Sequence, residues 1–189
     1  KEMGANAVRT SHNPPAPELV ALCDRLGLMM QLELADTWHK GKRKNDYSRL
    51  FDDWNEADMR SVVRHYRNHP SVIMWSIGNE VMEQMTDMGV EIAHRLTAFC
   101  HDEDPTRPTS LGCNNPNALF RDIVNHVDIL GQNYRHQAYA KFKKQNPTRR
   151  YHASETSSAT SSRGEYFFPV TTDPNDSRVG FQLSSYDMT

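Results

Sequence analysis

Cysteine is scarce: Cys23, Cys100 and Cys113 are the three in 189 residues. An odd number at such wide spacing suits neither a disulfide framework nor a zinc site, and reads as buried or free thiols. Long apolar runs are missing too. The longest, residues 72–77, falls far short of the roughly 20 residues needed to cross a bilayer, so no membrane partner is expected. Nor is there an excess of one charge. The 22 Lys and Arg against 24 Asp and Glu leave a formal net charge of -2, whereas phosphate backbones require clustered positive charge, and no nucleic-acid partner is expected. The basic run at residues 40–44 (KGKRK) reads as a solvated loop. No glycine-rich loop follows the first strand-like segment, which removes the dinucleotide-binding reading of an α/β pattern. No signal peptide is visible and residue 1 is Lys rather than Met, so the true N-terminus is expected upstream. The compartment stays open between the bacterial cytoplasm and the periplasm or secretion.

What is present is the balance of a globular domain, 37% hydrophobic and 24% charged residues, at a length that suits one domain. Strand-like and helix-like segments alternate. Residues 6–10 form a short apolar run. A helix follows Pro14 and Pro15, with Leu19, Leu22, Cys23 and Leu26 at i, i+3, i+4, i+7 spacing and Gly27 as its stop. Residues 28–34 (LMMQLEL) read as a strand. The next helix carries Met59, Val62, Val63 and Tyr66 on one face and ends before Pro70. Residues 72–78 (VIMWSIG) are the near-continuous apolar type of strand that a parallel sheet buries on both faces. A third helix has Ile92, Leu96, Phe99 and Cys100 on one side. Strand 109–112, a weak helix near Leu119 and Ile123, strand 128–133, a helical stretch at 137–144 and strand 150–155 complete a βαβαβαβαβαβ order. That order predicts a parallel sheet with helical crossovers. Residues 1–4 look like the last turn of a helix stopped by Gly4, and residues 156–189 lack periodicity, so both ends read as cut.

In parallel α/β folds reactive groups gather at the C-terminal edge of the sheet. Here the strand ends carry Arg9 with His12, then Glu33 and Asp36 with Trp38 just beyond, then Asn79 and Glu80, then Asn133 and Tyr134, and finally Glu155. A charged Glu at the end of an apolar strand is costly unless it is used or paired. Two of them beside a cation, an amide and a phenol suit chemistry at an acetal carbon. There one carboxylic acid protonates the leaving oxygen while a second, ionised carboxylate meets the developing positive carbon.

The runs NAVRTSHNPP (6–15), WSIGNE (75–80) and YHASETSSATSSRG (151–164), in that order, resemble glycoside hydrolase family 2, most of all its bacterial β-galactosidases. The resemblance implies a (β/α)8 TIM barrel that is incomplete here, with strands two to seven present and the first and eighth missing. Residues 1–189 would then be a partial catalytic domain of a larger glycosidase flanked by β-sandwich domains, with a homo-oligomer as a further expectation. It implies a retaining mechanism, with Glu80 as acid/base and Glu155 as nucleophile. Asn79 would bond the sugar 2-hydroxyl, Arg9 and His12 close the second barrel strand, and Tyr134 stands near the nucleophile. Asp36 and Trp38 are expected to contact substrate or support the rim. The third-strand segment Leu32-Glu33-Leu34 departs from the family's usual Asp-Glu-Ala, so no metal is expected; no cofactor is expected either.

Other features have plainer readings. His65 and His69 at i, i+4 suit a helix C-terminus better than a zinc site. Trp75 reads as core. His136, His152 and Glu33 stand where they could reach a sugar or brace the rim. Tyr166, Phe167 and Phe168 could shape the pocket or cover apolar surface. The expected substrate is a β-galactoside. The alternatives are β-glucuronidase or β-mannosidase activity, or a carbohydrate-binding barrel without catalysis.

Overall fold

The alternation of apolar runs becomes an alternation of strands and helices in the computed structural model, which describes residues 1–156 and Asn175. The elements in order are β1 (Ala7–Arg9), α1 (Pro17–Leu26), β2 (Met29–Glu33), α2 (Ser48–Tyr66), β3 (Val72–Asn79), α3 (Asp87–Glu103), β4 (Thr109–Cys113), β5 (Ile129–Asn133), α4 (Tyr139–Gln145) and β6 (Tyr151–Glu155). Short 3-10 turns at Ala118–Phe120, Asp122–His126 and His136–Ala138 stand between β4 and α4. Every strand pairs in parallel with its neighbour in sequence, giving one six-stranded sheet in the order β1 to β6. Parallel pairing with helical crossovers places all the C-terminal strand ends on one rim. The described residues hold six strands of a barrel architecture that closes with eight.

Alternation along the strands separates two environments. Met30 and Leu32, Trp75 and Ile77, Leu111 and Leu130 join Val20, Cys23, Met59, Val63, Ile92 and Leu96 in the buried core. The intervening positions carry Gln31, Glu33, Ser76, Ser110 and His152, a polar row that leads up to the rim. Trp75 is fully buried and donates its indole N–H to Asp104, which makes it core, as expected. All three cysteines are buried and free. Among the described residues no helix is long and apolar enough to cross a membrane.

Two expectations are corrected. In α1 the buried stripe is Val20 and Cys23, while Leu19, Leu22 and Leu26 are 42%, 46% and 53% exposed. Leucine spacing located the helix but not its buried face, because the two stripes lie side by side around the axis. The weak helix near Leu119 and Ile123 is two 3-10 turns instead. There the Asn115 side chain accepts the Asn117 N–H and Asp122 accepts from Asn125. Such local bonds compete with a continuous α-helical ladder. Gly27 closes α1 in the left-handed region at φ 63, as its position predicted.

Candidate active site

Arg9 ends the first strand with its side chain turned toward the rim, and much of the site is organised around its guanidinium. Its Nη1 donates to Glu155 Oε1 at 2.7 Å and to the Ser154 carbonyl at 3.2 Å, and its Nη2 donates to Asn79 Oδ1 at 2.8 Å. Its Nε lies 2.6 Å from Glu33 Oε1. That last approach is a charge contact rather than an aligned hydrogen bond, since the Nε–H has no acceptor of good geometry. One planar cation thus ties four strand ends together, a task that suits the fixed fork of an arginine.

Glu155, at the end of β6, receives a second donor in the Tyr134 hydroxyl. His12 stands 3.7 Å away through Nε2, with its Nδ1 3.2 Å from Glu33. Burial alone would push the Glu155 carboxyl upward, but bonds from Tyr134 and Arg9, with the charge of His12 behind them, hold it below the ordinary carboxylate value. The bond to Glu33 raises His12 above the ordinary histidine value, against its partial burial. Glu155 is therefore kept ionised.

Glu80, one residue past β3, has a different surrounding. Its Oε1 accepts from the neutral amide of Asn133 at 2.8 Å, and its backbone sits in the left-handed region at φ 44. That conformation is uncommon for a residue with a Cβ and gathers at functional sites. Its N–H donates to the Gly112 carbonyl at 2.7 Å. Asn79 turns its Oδ1 to Arg9 and to Asn133 Nδ2 at 2.9 Å, while its Nδ2 faces His12 Nε2 at 3.4 Å and Asp36 at 3.5 Å. Gly112 makes this convergence sterically feasible. A Cβ there would come within 2.8 Å of Asn79 Oδ1 and 3.2 Å of both Arg9 Nη2 and Asn133 Oδ1.

The structure therefore brings Arg9, His12, Asp36, Asn79, Glu80, Tyr134 and Glu155 to one rim. Trp38 is the exception. It is fully buried and donates to the Ile77 carbonyl at 2.9 Å, so it braces the rim from below and offers no face for a sugar ring to stack on. His152 reaches Ser110 Oγ at 3.3 Å inside the sheet, and burial, with Arg9 nearby, lowers it. His69 pairs with Asp24 at 2.6 Å, whereas His65 packs edge-on against Tyr66. The side chain of His136, residues 157–164 of the third motif, and Tyr166, Phe167 and Phe168 lie outside the described residues. Among the described residues no group of three or more His, Cys, Asp or Glu is placed to hold a metal ion.

Three participants were given no role in the site by the sequence reading. Asn133 bonds both Asn79 and Glu80, and Ser154 steadies it through a 2.6 Å bond to Oδ1. A signal existed: β3 and β5 both end in Asn followed by a left-handed residue, Glu80 in one case and Tyr134 at φ 54 in the other. Lys42, read as part of a solvated loop, instead folds back onto Asp36 and the Asn79 carbonyl, each at 2.7 Å.

Residues 1–166 match the family described as glycosyl hydrolases family 2, TIM barrel domain. Beta-galactosidase BoGH2A of Bacteroides ovatus is 39% identical over 89% of this chain and 24% of its own length. Human beta-glucuronidase is 30% identical over 68% of this chain and 19% of its own length. Among solved structures, a glycosyl hydrolase family 2 member from Bacteroides cellulosilyticus superposes with a TM-score of 0.80 at 41% identity, covering 84% of this chain and 20% of that one. The chain thus spans about a quarter or less of the length of these relatives. It belongs to glycoside hydrolase family 2 and represents part of that family's TIM barrel domain.

Proposed function

We propose that the full-length protein hydrolyses terminal β-galactosides with retention of configuration, using Glu155 as nucleophile and Glu80 as acid/base. One observation carries the assignment: the two rim carboxylates sit in opposite surroundings. Arg9, Tyr134 and His12 converge on Glu155 and keep it charged, whereas Glu80 leans on a neutral amide. Glu155 attacks the anomeric carbon while Glu80 gives its proton to the leaving oxygen. Water then cleaves the glycosyl ester with Glu80 acting as base. In this reading Asn79 bonds the 2-hydroxyl, which its anchoring between Arg9 and Asn133 supports. Galactose is preferred because the β-galactosidase relative shares more identity, over more of this chain, than the human β-glucuronidase does. The greater length of the relatives leaves room for flanking β-sandwich domains.

The β-glucuronidase reading is second, supported by several relatives with that name. Turnover of 4-nitrophenyl β-galactoside, β-glucuronide and β-mannoside by the full-length protein separates the readings. Fastest kcat/KM on the galactoside is expected. A faster glucuronide or mannoside would reassign the sugar, and no turnover of any of them would favour a binding barrel.

A further inference from the structure

The basic run at residues 40–44 has no place in the mechanism above, yet it is anchored more firmly than a solvated loop requires. Asp46 accepts the backbone N–H groups of Lys42 and Arg43 at 2.6 and 2.7 Å through one oxygen. Its other oxygen accepts the Ser48 N–H at 3.1 Å and the Ser48 hydroxyl at 2.6 Å. Glu83, a fully buried carboxylate three residues beyond Glu80, takes the Lys40 N–H at 2.5 Å. A buried carboxylate is costly unless it is hydrogen-bonded, so the Lys40 N–H bond ties this loop to Glu83.

The anchored loop delivers the Lys42 ammonium to the strand end. Nζ donates to Asp36 Oδ1 and to the carbonyl of Asn79, both at 2.7 Å. This carbonyl belongs to the peptide that joins Asn79 to Glu80. The N–H of the same peptide donates to the Gly112 carbonyl at 2.7 Å. Both polar ends of one peptide plane are therefore held from opposite sides, by a lysine from the β2–α2 loop and by β4. Glu80 leaves that plane at φ 44, a conformation that persists when its surroundings over-determine it. The direction of the Glu80 side chain is set by this plane.

We propose that Lys42 is the positioning residue for Glu80: its ammonium clamps the Asn79–Glu80 peptide so that the acid/base carboxyl points at the glycosidic oxygen. The inference rests on Glu80 being the acid, as proposed above. It makes Lys42 act through the backbone of Glu80, with Asp36 holding the ammonium in place and Glu83 holding the loop.

The test uses kcat/KM in the full-length enzyme, which reports only steps up to cleavage of the glycosidic bond. Phenyl β-galactoside needs a proton on its leaving oxygen, and 2,4-dinitrophenyl β-galactoside does not. Lys42→Met should cost roughly tenfold to a hundredfold on the phenyl substrate and leave the dinitrophenyl substrate within about twofold. The ratio of the two is independent of how much of the variant is folded. Lys42→Gln should raise the dinitrophenyl-to-phenyl ratio as well, Lys42→Arg should bring it most of the way back to the wild-type value, and Lys44→Ala should leave it unchanged. Glu80→Ala is measured in parallel. If Glu80→Ala is leaving-group dependent but the Lys42 variants lose both substrates equally or neither, Lys42 does not position the acid and the mechanism stands. If Glu80→Ala itself is flat across the pair, the acid assignment falls and the role of Lys42 falls with it.

Discussion

Tyr134 and Arg9 act on Glu155 in the same direction, each donating to a carboxylate that the proposed mechanism requires to be ionised. A carboxyl held below its ordinary value favours the folded state above its unfolded value, and that contribution is lost as pH falls through the folded value. Replacing Tyr134 with Phe removes one donor, so the Glu155 value should rise and the acidic limb of the kcat/KM profile should move to higher pH. An acidic limb that stays in place would mean that another group controls it. His12 runs the other way. Its raised value keeps it cationic further up the pH scale, and its support of Glu155 disappears as pH rises through that value. The rim positions of Arg9, Glu80 and Glu155 were legible in the sequence because each is a costly charge at a strand end. Lys42 was not, since a lysine among lysines carries no signal until the backbone bonds of Asp46 and Glu83 fold the loop. The burial of Trp38 was equally hidden, because a residue just past a strand can turn toward either side of the rim.

At the scale of elements, period and length revealed the strands to within a residue, whereas α2 and α3 begin at Ser48 and Asp87, well ahead of the apolar positions that revealed them. What periodicity could not supply was the buried face of α1, where two apolar stripes adjoin, or the 3-10 geometry between residues 118 and 126. The strand ends show how little clearance the site has. Gly112 in β4 lies beneath Asn79, Arg9 and Asn133 at distances that leave no space for a methyl group. Gly112→Ala is expected to displace the Asn79 amide and lower kcat/KM by roughly a hundredfold, since small misplacements of this order are amplified in catalysis. Its melting temperature should fall only modestly. Wild-type kinetics for this variant would show that the strand end has more freedom than the distances suggest. In the support layer, Trp38→Phe removes the bond to the Ile77 carbonyl and part of a fully buried ring. Loss of about 1–3 kcal/mol of stability is expected, measured by denaturant unfolding.

Across the whole molecule, the six-stranded sheet leaves β1 and β6 as its outer strands among the described residues. Unpaired strand edges template pairing with other chains. A polypeptide limited to these 189 residues should therefore self-associate and show no turnover. A monodisperse, cooperatively melting and active monomer by analytical ultracentrifugation and assay would contradict that expectation. The same architecture is what makes the chemistry available, because residues distant in sequence meet only where parallel strands end side by side. That meeting gives Glu155 its cation and its phenol, and it supports the proposal that Glu155 is the group that becomes glycosylated. The most direct measurement is peptide mapping by mass spectrometry after reaction of the full-length enzyme with 2,4-dinitrophenyl 2-deoxy-2-fluoro-β-galactoside, which traps the glycosyl-enzyme of a retaining mechanism. A single fluoroglycosyl ester on Glu155, absent from Glu155→Gln, is the predicted result; a label on another carboxylate, or one that persists in Glu155→Gln, would contradict it.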